Sequence, residues 1–99
     1  MIPKKFTIAS KTYKVNIVET DDVEGNASYG SLSTTERILN VATTVHAADI
    51  SPEEQHLTFN HELVHAILHG MGETELFNDE RFVEGFAQLL TQYELTRKY

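Results

Sequence analysis

His61 and His65 stand four residues apart, with Glu62 directly after the first, in the run His61-Glu62-Leu63-Val64-His65. On a helix of about 3.6 residues per turn, positions four apart project from one side, so two imidazoles there can close on one Zn²⁺ at about 2.0–2.1 Å. Glu62 falls about 100° further around the helix. It can therefore border the ion without ligating it, and accept a proton from a bound water whose pKa zinc lowers from about 15.7 toward roughly 7. The chemistry this pattern predicts is peptide hydrolysis by activated water, with Glu62 as general base and then as proton donor to the leaving amine.

A catalytic zinc site takes three protein ligands and keeps one position open. With no cysteine in the chain, the third must be nitrogen or oxygen. Glu84, in Arg81-Phe82-Val83-Glu84-Gly85-Phe86-Ala87, is the expected third ligand, and Glu80 is the alternative. Glu80, Glu84 and Gln88 share one helical face, opposite Phe82, Phe86 and Tyr93, whose spacing marks them as core. On that pattern the plain reading of the acidic face is solvent. His69 lies two turns from His61, about 12 Å of rise, too far to join the same ion, and is expected beside the last carbonyls of its helix. Tyr29 is the expected stabiliser of a developing oxyanion. His46 and His56 have no partner at a telling spacing and are read as structural.

These side chains need elements to hold them. Ser51-Pro52-Glu53-Glu54 is a helix start, with a Ser cap, Pro at the first helical position and a Glu three residues after the cap. The helix is expected to run to about His69 and stop at Gly70, with a loop from Glu73 to Phe77. Asn78 or Asp79 then caps a second helix, whose apolar stripe is Phe82, Val83, Phe86, Leu89, Leu90 and Tyr93, fading over Thr96 to Tyr99. Upstream, Phe6 and Ile8, then Tyr13, Val15 and Ile17, alternate with polar residues around the break Ala9-Ser10-Lys11, which predicts a hairpin. Glu19 to Asn26 reads as a connecting loop. Ala27 to Leu32 and Arg37 to Val41 flank a second, looser turn. The expected fold is α+β: about four antiparallel strands, then two helices packed on one sheet, as a single domain over residues 1–99.

His61-Glu62-Leu63-Val64-His65-Ala66-Ile67-Leu68-His69 followed by Glu84-Gly85-Phe86-Ala87-Gln88-Leu89-Leu90 resembles the small ImmA/IrrE-type zinc metallopeptidases, gluzincins with two His and one Glu on zinc. Compact phage and prophage versions also begin with a strand pair like Lys5-Phe6-Thr7-Ile8 and Tyr13-Lys14-Val15. The resemblance implies a minimal zincin-like fold, with His61, His65 and Glu84 as zinc ligands and Glu62 as base. It also implies a protein or peptide substrate and a repressor-type protein partner. A substrate would pair as an extended segment with a strand edge such as Ala27 to Leu32. A metzincin pattern is absent, because position 68 is Leu and position 71 is Met.

At 99 residues, 40% hydrophobic and 23% charged, the chain has the size and composition of one small globular domain. Eight Lys plus Arg against fifteen Asp plus Glu give a formal charge of −7, which counts against nucleic-acid binding. The chain start alternates instead of forming an apolar run, so neither a leader nor a membrane span is expected and a cytoplasmic setting is read. The rivals to a peptidase are a zinc-stabilised protein-binding module with little hydrolysis, and a metal-free interaction domain.

Overall fold

Alternation of apolar and polar residues from Lys5 onward produces β1 (Lys5–Ile8) and β2 (Lys11–Val18), joined through Ala9 and Ser10 at φ 51° and 64°. The two strands pair antiparallel with Phe6 opposite Tyr13, and these rings stack at 5.1 Å. The computed structural model describes residues 2–19, 21–23 and 26–99. The stretch expected to be a loop carries β3 (Asp21–Val23), paired antiparallel with β4 (Asn26–Ser28), while Thr20, Glu24 and Gly25 lie outside the described residues. The strand expected over Ala27 to Leu32 is thereby divided at Tyr29 into β4 and β5 (Gly30–Ser33).

β5 and β6 (Ile38–Ala42) form the second hairpin, but β6 inserts beside β2, giving the order β1-β2-β6-β5. It runs parallel to β2, with Val15 level with Leu39 and Ile17 with Val41. Leu39, Val41 and Ala42 are fully buried, as a central strand requires, and β5 becomes an edge. A short pair, β7 (Thr44–Val45) and β8 (Ala48–Asp49), turns at His46 and Ala47 before the helices begin.

α1 (Pro52–Met71) starts as its cap demands: the Glu54 N–H donates to Ser51 Oγ at 3.2 Å. It stops at Gly72, not Gly70. Gly72 adopts φ 76° and its N–H donates to the His69 carbonyl at 3.1 Å, whereas Gly70 continues the helix. A Cβ on Gly70 would stand 3.0 Å from Cβ of Ala9, so this glycine lets α1 pass close to the β1–β2 turn. The expected loop contains a one-turn helix, α2 (Thr74–Phe77), making three helices where two were expected. α3 (Glu80–Thr96) is capped by Asp79, whose carboxylate accepts from the Phe82 N–H at 3.1 Å.

The helices do not both lie on the sheet. α1 packs there, with Phe59 buried against Val15, Leu39 and Val41 and with Leu63 at the margin. On its other side α1 presents Val64 and Leu68 to Val83 and Ala87 of α3, with Leu57, Leu76 and Phe77 around them. Being sandwiched explains why α1 is apolar around most of its circumference. α3 is the outer layer, and its buried face is Val83, Ala87 and Thr91. Phe82, Phe86, Leu89 and Tyr93, expected as core, are exposed instead. Small side chains let α3 approach α1 closely, and α1 offers polar partners for the acids of α3. Among the described residues no helix is long and apolar enough to cross a membrane.

Candidate metal centre

One turn of α1 carries His61 and His65 on its α3-facing side, their ring centroids 5.0 Å apart. The first turn of α3 brings Glu80 against both. Its Oε2 lies 3.0 Å from His61 Nε2 and its Oε1 2.9 Å from His65 Nε2. Donor atoms of these three side chains fall within 4.8 Å of one another. Ligands about 2.0–2.2 Å from a tetrahedral ion stand roughly 3.3–3.6 Å apart, inside the 4.8 Å within which these donor atoms fall.

Glu84, the expected third ligand, is placed elsewhere: its Oε1 lies 2.7 Å from His61 Nδ1, on the far edge of the ring. Its Oε2 accepts from Gln88 Nε2 at 2.8 Å. Glu80, the alternative, is the residue that the structure brings together with His61 and His65. One helical turn separates the two acids, which is why spacing alone left both open.

His61 thus has a carboxylate at each ring nitrogen. Burial acts to lower its pKa, but the hydrogen bond with Glu84 and the charges of Glu62, Glu80 and Glu84 outweigh that effect and hold it above the ordinary histidine value. The surrounding carboxylates thus favour the protonated, positively charged form of His61. His65 is more deeply buried, packs edge-on against Phe77 at 4.9 Å, and has an Nδ1 without a hydrogen-bond partner.

Two hollows meet at this helix turn. A cleft of about 400 Å³ runs between β5 and the helices, bordered by Tyr29, Gly30, Leu57, His61, Glu62 and Glu84. A second, of about 410 Å³, opens past Leu32, His65, Phe77 and Glu80, and again includes Glu62. Glu62 is the acid common to both. Tyr29 is exposed at the rim of the cleft, and His69, also exposed, is not among the three clustered donors and has its ring 5.9 Å from that of Phe77.

A polar network next to the site was not anticipated from sequence. Asn60, 2% exposed, donates to Thr91 Oγ1 at 2.9 Å and to Glu94 Oε1 at 2.7 Å. His56 Nε2 meets the same Glu94 oxygen at 3.0 Å. Burial acts to raise the Glu94 pKa, but the bonds from Asn60 and His56, with the charges of His56 and Arg97, hold it below the usual carboxylate value. The sequence signal for this lock was an amide, Asn60, one turn before Val64 on the stretch of α1 that packs against α3.

Compared with protein-family models, with curated proteins and with solved structures, the chain gives no match.

Proposed function

We propose that this chain is a zinc-dependent peptidase in which His61, His65 and Glu80 hold the ion and Glu62 is the general base. One observation carries the reading: the Glu80 carboxylate spans the Nε2 atoms of two histidines four apart on one helix, at 3.0 and 2.9 Å. A His, His, carboxylate donor set suits Zn²⁺, and the ion, when bound, supplies Lewis acidity toward a carbonyl and a water.

The chain's own residues supply the rest. Glu84 orients His61 from Nδ1, as carboxylates commonly do behind a ligating imidazole. Glu62, at the junction of the two hollows, accepts the proton of the attacking water and returns it to the amine nitrogen as the C–N bond breaks. β5 offers its edge to an extended peptide backbone, so the substrate is a protein or peptide segment. Tyr29 donates its phenolic hydrogen to the carbonyl oxygen as negative charge gathers there. The sequence likeness to small ImmA/IrrE-type peptidases agrees with this reading, and a repressor-type protein is the partner it would imply.

Native mass spectrometry under zinc-replete conditions tests the centre. One zinc per chain is expected in the wild type and none, or weakly held metal, in His65→Ala. Glu62→Gln is expected to keep the zinc and lose cleavage of an unstructured peptide library. A wild type that retains no metal removes the metal centre, and cleavage surviving in Glu62→Gln removes the base.

A further inference from the structure

The outer face of α3 bears Phe82, Phe86, Leu89 and Tyr93, which are 38%, 51%, 69% and 59% exposed. Their spacing of four, three and four residues is the seam of a helix that packs against another helix. We propose that this face is the interface of a homodimer in which α3 of one copy lies antiparallel to α3 of a second.

Three features specify a second copy as the occupant. The spacing reads the same in both chain directions, so a two-fold axis between Phe86 and Leu89 sets Phe82 opposite Tyr93 of the other copy and Phe86 opposite its Leu89, as an isologous interface requires. Charge also matches when the helices run antiparallel: Asp79, at the start of one α3, comes alongside Arg97 and Lys98 at the end of the other. Finally, aromatic side chains carry about 150–250 Å² each, so the four residues offer roughly 400 Å² of apolar surface per copy. That is about half of a standard interface, which is typically near 800 Å² per partner. The neighbouring Gln88 and Gln92 are exposed and uncharged, and Gly85 has nothing within 4 Å of a Cβ position, so a neighbouring helix can come close. In a chain of net charge −7, the acids along α3 (Glu80, Glu84 and Glu94) engage α1 and leave this stripe without a negative group.

Sedimentation equilibrium of the full chain tests this. A reversible monomer–dimer equilibrium with a Kd on the order of 10 µM is expected, as befits an interface below standard size. Leu89→Glu and Phe86→Glu, at exposed positions, are expected to raise that Kd more than tenfold with unchanged circular dichroism. Orientation is read separately, because the chain contains no cysteine. Phe82→Cys and Tyr93→Cys, mixed and oxidised, are expected to cross-link to each other in preference to themselves. A wild type that is monomeric up to millimolar concentration, a dimer unaffected by both Glu substitutions, or self-cross-linking of each cysteine variant would each overturn the proposal.

Discussion

Glu84 holds His61 from behind, its Oε1 2.7 Å from the Nδ1 that faces away from Glu80, and Gln88 in turn fixes the other Glu84 oxygen. Under the proposed function Glu84 is a positioning residue and Glu80 a ligand, and the two roles separate by affinity. Removing an outer carboxylate typically weakens a metal site by about 10–100-fold. Glu84→Gln is therefore expected to retain zinc with that loss, and Glu80→Gln to lose it to a far greater degree, in competition titrations against a chromophoric chelator. Equal losses would make Glu84 a ligand, the role the sequence pattern first indicated.

The same contact sets a pH dependence in the metal-free chain. The pKa of His61 is raised in the folded state, through Glu84 and the charges of Glu62 and Glu80 working against burial. A raised histidine pKa adds stability that is fully present below the unfolded value, about 6.5, and is lost as pH climbs through the folded value. With chelator present, the urea midpoint is expected to fall as pH rises from about 6 to about 8, and the fall should be shallower in Glu84→Gln. With saturating zinc the trend should reverse, since protons compete with the ion for the same nitrogens. Parallel profiles for the wild type and Glu84→Gln without metal would contradict this assignment.

Asn60 ties α1 to α3, and this tie is expected to set the height at which Glu80 meets the histidines. Its amide is buried and bonded to both Thr91 and Glu94. Asn60→Leu keeps similar volume but leaves Thr91 Oγ1 without this donor and Glu94 Oε1 with His56 alone, which costs about 1–3 kcal/mol. For a domain of this size each kcal/mol lowers Tm by roughly 4–8 °C. The same variant should weaken zinc binding, though it touches no ligand. Unchanged Tm and unchanged affinity together would show that apolar packing alone fixes the register.

The site was legible where local chemistry decides it. The spacing of His61 and His65 on a helix opened by Ser51-Pro52 needs only helical geometry, and the alternation in β1 and β2 needs only a half-buried strand. What failed depended on tertiary neighbours. α3 carries a stripe through Phe82, Phe86, Leu89 and Tyr93 and a second through Val83, Ala87 and Thr91, and periodicity favours the bulkier one. Close approach to α1 selects the smaller. The same stripe made solvent the plain reading of the face that carries Glu80 and Glu84, beside their expected role as ligands, and His61, His65 and Gln88 stand there to meet them. Likewise Gly70 and Gly72 are equivalent as helix stops until the β1–β2 turn is known to lie against Gly70. The parallel pairing of β2 with β6 joins strands separated along the chain by three other strands, a relation no local signal encodes.

Gly30 and Gly85 should respond to alanine with opposite signs. A Cβ on Gly30 would stand 2.6 Å from the Asn40 carbonyl oxygen and 2.6 Å from Thr58 Cγ2. The oxygen belongs to the backbone of the central strand β6 and has no rotamer to relieve the overlap, so β5 itself must move. Overpacking of this kind costs about 1–3 kcal/mol. Thr58→Ser removes one of the two clashing groups, so in the double variant it should recover only part of the loss. Because β5 and α1 form two walls of the cleft, Gly30→Ala should also raise KM for peptide cleavage. Gly85 sits exposed in the interior of α3 with nothing within 4 Å of its Cβ position. Alanine there removes backbone freedom from the unfolded chain without a clash, and should add about 0.5–1 kcal/mol. Urea denaturation of both variants at low micromolar concentration reads the two signs, and a Gly30→Ala protein as stable as the wild type would mean that β5 is not pressed against β6 and α1.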